Sequence, residues 1–125
     1  MGGYGQSLLL FGGENHEVFL GCLNCDKYEK SSIWNEYGQY GSKYNANSIW
    51  NEYGKYGGQY SKHSPFNDYS NDPPIIVDRD GNSYGYFTTN EYFRNRTRVE
   101  LALLILDYWE AIAKDVSGHY DKIFQ

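Results

Sequence analysis

Aliphatic residues are concentrated in three parts of the chain, and the segments between them are polar and rich in tyrosine and glycine. In the first part, the apolar runs SLLLF and EVFLG flank the loop GGENH, whose residues tolerate turn conformations. Short apolar runs on both sides of such a loop are typical of paired strands. We therefore predict a β-hairpin over residues 7–21.

A second hairpin is indicated by the runs IIVD and SYGYFTT, which flank the tetrapeptide Arg79-Asp80-Gly81-Asn82. The Asp-Gly pair favours a tight hairpin turn. Pro73 and Pro74 stand just before the first run, where a strand needs no backbone donor. The pattern predicts a hairpin over residues 75–88.

The last aliphatic part has helical periodicity. Asn90 is a good N-cap, Gly118 is a plausible stop, and apolar residues between them recur at helical spacing on two sides. We predict one long helix over residues 90–116. A helix that is apolar on two sides either lies deep in its own fold or covers a partner, so a homodimer contact through this helix stays open.

Between the hairpins, residues 32–74 contain a sixteen-residue unit three times. Alignment on Ser32, Ser48 and Ser64 gives SIWNEYG, SIWNEYG and SPFNDYS. Serine at the N-cap, an acidic residue after it and a final glycine are the order of a short capped helix. Pro65 supports this interpretation, because proline is best tolerated at the first helical position. We predict one short helical turn in each unit.

On a helical turn, aromatic residues three positions apart share a face, so each unit is expected to point one aromatic pair into the core. These predicted structural residues are Trp34, Tyr37, Trp50, Tyr53, Phe66 and Tyr69. The glycine-rich tails between the turns are expected to be extended and wetter. Their tyrosines are therefore the candidates for stacking against a protein or carbohydrate ligand: Tyr40, Tyr44, Tyr56 and Tyr60.

The combined prediction is a single α+β domain over residues 1–125. It has a small antiparallel sheet of two β-hairpins, an aromatic-rich repeat crossover with short helical turns, and one long C-terminal helix. The composition supports this, because 14 tyrosines, 6 phenylalanines and 3 tryptophans supply a large share of the apolar 40%. Such a chain has to build its core largely from aromatic rings.

The net charge of −5 disfavours partners that bind through phosphate, such as nucleic acid or anionic lipid. The longest apolar run, Leu101–Leu106, is far shorter than the roughly 20 residues that cross a bilayer. The first residues, MGGYGQ, lack the basic and apolar regions of a secretory signal. We expect a soluble protein that is cytoplasmic as sequenced, and an exported form stays open.

Cys22 and Cys25 form a CxxC motif with four alternative interpretations. With His16 and His63 they could bind zinc, although a second ligand pair is missing from the sequence. They could also carry thiol chemistry, form a small structural disulfide, or stay reduced as a pair buried at the end of a strand. These alternatives stay open.

Calcium is a second candidate cofactor. Residues 78–82 resemble the opening of a calcium loop, but Ser83 and Thr89 stand where the EF-hand pattern requires Gly and Glu. A hairpin turn explains these residues better. The repeated pairs Asn-Glu and Asn-Asp could also supply oxygen ligands if the fold brought them together.

The motifs LFGG, FLGCLNC, SIWNEYGQYGSKY and PPIIVDRDGNSYGYFT occur in this order over residues 8–90. In this respect the chain resembles small bacterial proteins and appended domains that share the same order of motifs. The resemblance implies a folded module of bacterial or phage origin and carries no known activity. Some such modules are attached to exported proteins, which makes an extracellular setting one option.

The chain contains no GxSxG, no P-loop, no HExxH and no dinucleotide-binding turn. The leading hypothesis is therefore a non-catalytic binding or protein-interaction module. One alternative is a metal- or thiol-dependent enzyme built around Cys22 and Cys25. Another is a small acidic inhibitor of a host protein.

Overall fold

The computed structural model describes residues 6–125. The expectation that a secretory signal is lacking concerns the first residues of the chain, of which residues 1–5 lie outside the described range. Four strands form one antiparallel sheet in the order β2-β1-β3-β4. Both predicted hairpins and the α+β class are thereby confirmed. The strands are β1 Leu9–Gly12, β2 Val18–Cys22, β3 Ile75–Val77 and β4 Ser83–Tyr86.

The middle of the sheet is formed by β1 and β3, which of all the paired strands lie farthest apart in sequence. Leu10 of β1 pairs with Ile76 of β3, and both side chains are fully buried. The first hairpin turns through Gly13 and His16, which adopt positive φ. The connection from β2 to β3 is therefore the long repeat segment, which has to return the chain to the opposite edge of β1.

Two helices follow β4, namely α1 Glu100–Lys114 and α2 Val116–Phe124. The single helix predicted over residues 90–116 is wrong at both ends. Asn90 does not cap a helix, because its side-chain oxygen accepts the backbone N–H of Tyr92 within a tight turn. Gly118 lies inside α2, where its N–H donates to the capping side chain of Asp115.

The repeat segment contains no helix. From Asp26 to Ser70 the chain forms consecutive tight turns, which we call the turn chain, and most are closed by a backbone hydrogen bond between residues three apart. A four-residue step interrupts this pattern after Gly38 and again after Gly54. Four steps of three residues and one of four account for the sixteen-residue period. The predicted helical turns are thus tight turns.

The first residue of most turns is Ser, Asn or Asp for a physical reason. Its side-chain oxygen accepts the backbone N–H two residues later, which closes the turn a second time. Ser48 accepts from Trp50 at 3.1 Å, and Asn51 accepts from Tyr53 at 3.0 Å. The same bond recurs at Asp26, Ser32, Asn35, Ser42, Asn45, Ser61, Ser64, Asn67 and Ser70.

Residues sixteen apart stack on one another along the turn chain. The ring centres of Trp34 and Trp50 are 6.2 Å apart, and those of Trp50 and Phe66 are 5.7 Å apart. Phe66 then stacks on Trp109 of α1 at 4.5 Å. This aromatic column forms the centre of the core between the sheet and α1. None of the helices in residues 6–125 combines the length and hydropathy that crossing a bilayer requires.

Candidate functional site

Tyrosines are the most exposed large side chains of the turn chain. Tyr37, Tyr53 and Tyr69, which were predicted to point into the core, are 98%, 91% and 90% exposed. That prediction is wrong because the backbone consists of tight turns rather than a helix. Residues three apart therefore belong to neighbouring turns and point in different directions, whereas residues sixteen apart stack.

A fourth exposed tyrosine belongs to the same set, although it lies outside the repeats. Tyr92 is 94% exposed and ends the triplet Asn90-Glu91-Tyr92. Its N–H is accepted by Asn90 at 3.2 Å, as in the triplets that end at Tyr37, Tyr53 and Tyr69. The sequence analysis missed Tyr92 because it assigned residues 90–92 to a helix. The triplet Asn-acid-Tyr, which also occurs in each repeat, is the sequence signal that could have identified it.

The four tyrosines predicted to bind a ligand do not share one environment. Tyr44 and Tyr60 are exposed. Tyr56 is only 6% exposed and lies close to Gly12 and Gly13 of the first hairpin. Tyr40 is half-buried and packs edge-on against Phe19 at 4.8 Å. Tyr40 and Tyr56 therefore help to hold the turn chain on the sheet.

Three clefts lie between the turn chain and α1, and exposed tyrosines line each of them. The first, about 430 Å³, is lined by Tyr37 and Tyr44. The second, about 610 Å³, is lined by Tyr44 and Tyr53 and by buried Trp50. The third, about 480 Å³, is lined by Tyr69 and Tyr92. Adjacent clefts share wall residues of α1, so we call the three together the tyrosine groove.

Carboxylates lie next to the groove tyrosines in the sequence. Except for Tyr44, every tyrosine that lines the groove directly follows a Glu or an Asp. Glu36 is used internally, since it accepts the N–H of Ser117 in the first turn of α2 at 2.8 Å. Glu52, Asp68 and Glu91 are exposed and form no ion pair within residues 6–125. The groove therefore offers aromatic faces beside free carboxylates.

Exposed tyrosines also recur sixteen residues apart at positions 28, 44 and 60, and the first two already have a lysine over the ring. The ammonium of Lys27 lies 5.5 Å from the ring centre of Tyr28, and that of Lys43 lies 5.8 Å from the ring centre of Tyr44. Cation–π pairs at such distances are attractive. The two sets of exposed tyrosines therefore differ in the charge of the residue before them. A lysine precedes Tyr28 and Tyr44, whereas Glu or Asp precedes the tyrosines at 37, 53, 69 and 92.

The groove tyrosines are held by rigid backbone. Asn51 accepts the N–H of Tyr53 through its oxygen and donates through its amide nitrogen to the carbonyl of Asn45 at 3.1 Å. Asn35 and Asn67 make equivalent pairs of bonds. An exposed ring on a fixed turn loses little conformational freedom when it contacts a ligand.

The CxxC motif forms a disulfide between Cys22 and Cys25, and both residues are buried. Of these alternatives, the structure shows a disulfide. Oxidised sulfur provides neither the thiolate that zinc requires nor the thiolate of a nucleophile. The bridge lies where β2 ends and the turn chain begins, and it fixes the direction in which the chain leaves the sheet.

His16 and His63 converge on Asp72 instead of on the cysteines. His16 Nε2 is 3.7 Å from one carboxylate oxygen, and His63 Nδ1 is 3.3 Å from the other. This contact connects the first hairpin to the third repeat. Among residues 6–125, no three His, Cys, Asp or Glu side chains are placed to hold a metal ion together.

Asp78 organises the second hairpin turn rather than a calcium site. Its carboxylate accepts from the backbone N–H groups of Asp80 and Asn82, the side-chain amide of Asn82 and the hydroxyl of Tyr84. The bonds from Asn82, and then the bond from Tyr84, lower the pKa of Asp78 to about 2. Its oxygens are already engaged by protein donors.

A separate cleft of about 900 Å³ lies between β4 and residues 93–98 and is lined by Arg96 and Arg98. The backbone of residues 95–97 covers the outer edge of β4 there, with Thr97 donating to Tyr86 at 2.8 Å. This cleft lacks the repeated residues that line the tyrosine groove. The tyrosine groove, in contrast, is lined by the tyrosines of the repeated Asn-acid-Tyr triplets.

Comparison of the chain with protein-family models, with curated proteins and with solved structures finds no match at a significant level.

Proposed function

We propose that the protein is a non-catalytic protein-interaction module that holds an extended segment of a partner polypeptide in the tyrosine groove. The observation that carries the proposal is the set of four Asn-acid-Tyr turns, whose tyrosines line clefts along one side of α1. Repetition of one contact along a groove suits a ligand that is itself a chain.

A polypeptide suits the composition of the groove better than a neutral polymer does. The first two clefts are lined by charges of both signs, namely Lys43, Lys114, Glu36, Glu52 and Glu110. The third is lined by Asp68, Glu91, Asp107 and Arg96. A peptide can present both charge signs and apolar side chains at fixed spacing. Tyrosine provides a large contact area at low entropic cost, which is why it is enriched in binding surfaces.

The size of each cleft agrees with this proposal. Volumes of about 430, 610 and 480 Å³ lie within the range of small-molecule sites, so each cleft has room for a side chain of a bound polypeptide. The floor of the second cleft includes Trp50, which is buried in the aromatic column. A ligand would therefore contact the core of the repeats and not only their edge.

The test is a selection of linear peptides from a phage-displayed library on the immobilised full-length protein, with an oligosaccharide panel in parallel. The groove variant Tyr53→Ser/Tyr69→Ser removes two groove rings. Its matched control is Tyr28→Ser/Tyr60→Ser, which removes two tyrosines that are 81% and 88% exposed and lie outside the three clefts. All four substitutions are at exposed positions and should leave the fold intact.

We expect selected peptides to bind the wild type and the control alike and to bind the groove variant at least about tenfold more weakly, as for loss of contact residues. Peptides that bind the groove variant as well as the wild type would overturn the proposal. So would an outcome in which only oligosaccharides bind.

A further inference from the structure

The third cleft differs from the other two in that its tyrosines come from two separate parts of the chain. Asp68 and Tyr69 come from the third repeat, whereas Glu91 and Tyr92 come from the segment after β4. These two Asn-acid-Tyr turns therefore face one space from both sides. The remaining wall is α1, which contributes Asp107 and Trp109.

Backbone contacts fix the two turns relative to each other. The N–H of Thr89 donates to the carbonyl of Pro65 at 2.8 Å, and the side-chain amide of Asn90 donates to the carbonyl of Ser70 at 3.1 Å. Trp109 is fixed as well, because it stacks on buried Phe66 at 4.5 Å. The aromatic walls of the cleft are thus formed before any ligand arrives.

The charge of the cleft is unbalanced. It contains the carboxylates of Asp68, Glu91 and Asp107 and a single cation, Arg96, whose Nε donates to the carbonyl of Thr88 at 2.8 Å. None of the three carboxylates takes part in an ion pair in the part of the chain that the structure describes. A cationic ligand would find opposite charge that the protein itself leaves unused.

Thr89, which lines the same cleft, carries a polar atom without a partner. Thr89 Oγ1 is buried and has no hydrogen-bond partner within residues 6–125. A buried hydroxyl without a partner costs free energy, and a rotation of the Thr89 side chain toward the cleft would let a donor of the ligand remove that cost. Ammonium and guanidinium groups are strong donors and carry several N–H bonds each.

Elsewhere the molecule places ammonium groups over tyrosine rings of the turn chain, as Lys27 does over Tyr28 at 5.5 Å. No lysine stands before Tyr69 or Tyr92, and their rings are free to receive a cation from outside. We infer that the cleft between Tyr69 and Tyr92 binds a lysine or arginine side chain of the partner polypeptide. This inference rests on the proposed function and adds the chemistry of one ligand position.

The experiment uses three blocked peptides on the full chain: Gly-Gly-Lys-Gly-Gly, Gly-Gly-Arg-Gly-Gly and Gly-Gly-Gln-Gly-Gly. Amide chemical shifts are followed by NMR during titration to millimolar peptide. We expect the Lys and Arg peptides to shift the amides of Tyr69, Thr89 and Tyr92 and the Gln peptide to leave them in place. Higher salt should weaken the binding, because the cleft and the ligand carry opposite charge.

Variants separate a specific site from general attraction to an acidic protein. Asp68→Asn/Asp107→Asn removes two cleft charges, and the control Glu14→Gln/Glu17→Gln removes two exposed charges of the first hairpin. We expect about tenfold weaker binding of the Lys peptide to the first variant and little change in the control. Equal losses in both variants would overturn the inference.

Equal shifts with the Gln peptide, or none with the Lys and Arg peptides, would also overturn it. These results leave the proposed function standing if the library-selected peptides still require Tyr53 and Tyr69. Conversely, selected peptides that ignore the groove tyrosines remove the proposed function whatever the blocked peptides do. The two failures are therefore distinguishable.

Discussion

Two columns of aromatic residues run through the repeats only three positions apart, and their environments are opposite. Trp34, Trp50 and Phe66 are almost completely buried, whereas the tyrosines at 37, 53 and 69 are almost completely exposed. Each ring is the third residue of a turn, and each backbone N–H is accepted by the Ser or Asn that opens the turn. The local conformation is thus shared.

The difference in exposure arises from the position of each turn within the sixteen-residue unit. The turns that carry Trp or Phe face the sheet and α1, and the next turn already faces solvent. The polar atoms fit this division: Trp50 Nε1 donates to the buried carbonyl of Ile33 at 2.7 Å, while tyrosine leaves its hydroxyl to water. Whether a ring is buried in such a fold therefore depends on the place of its turn within the sixteen-residue repeat and not on the conformation of the turn.

The largest expected effect is on the buried column. Trp50→Ala removes a ring that contacts Trp34 and Phe66 and leaves the carbonyl of Ile33 without its donor. We expect the free energy of unfolding to fall by about 3–5 kcal/mol, as for other large-to-small core substitutions. Urea denaturation followed by fluorescence measures it. A loss below about 0.5 kcal/mol, the usual effect of a surface substitution, would show that the column does not hold the repeats together.

The four-residue step that sets the period can be tested next. A Cβ at Gly57 would lie 2.2 Å from the carbonyl oxygen of Asn51 and 2.6 Å from that of Ile49. Both atoms are backbone and cannot move aside, so we expect Gly57→Ala to cost about 1–3 kcal/mol, as overpacking does. Gln59→Ala, at an exposed position two residues later, is the control and should leave the denaturation midpoint unchanged. Equal stability of both variants would contradict the close approach.

A smaller effect is expected from the asparagine that connects neighbouring turns. Asn51→Asp keeps the oxygen that accepts from Tyr53 but loses the donor to the carbonyl of Asn45. The expected cost at neutral pH is about 1 kcal/mol, the value of one hydrogen bond. Asn47→Asp is the matched control, because no side-chain bond of Asn47 is present within residues 6–125. If both variants unfold at the same urea concentration, the bond to Asn45 does not stabilise the turn chain.

The hairpins could be predicted because their signals are local. Apolar runs that flank glycine-rich loops specify strand, turn and pairing within about a dozen residues. The helix boundary at residue 90 could not be placed, since Asn is favoured both as an N-cap and as the first residue of a tight turn, for the same reason that its side chain accepts a nearby N–H. The triplet Asn90-Glu91-Tyr92 resembled the repeats more than it resembled a helix.

The candidate site was less predictable than the fold. Ser, Asn and Gly recur every three residues in the turn chain, and that spacing favours turns over the 3.6-residue period of a helix. It was missed because capped helices and tight turns use the same residues. The clefts depend on how α1 lies against the repeats. That contact joins residues distant in sequence, such as Phe66 and Trp109, which stack although they are 43 positions apart. No local pattern encodes it.

The exposed column should give the smallest effect on stability and a clear effect on binding. Tyr53 is 91% exposed, so Tyr53→Ser should change the free energy of unfolding by no more than about 0.5 kcal/mol, as at other surface positions. The same substitution should weaken binding of the selected peptides, since Tyr53 lines the second cleft. Urea denaturation and peptide titration on one preparation measure both quantities. A variant as unstable as Trp50→Ala would mean that the tyrosine supports the fold, and the division between a structural and a binding column would have to be abandoned.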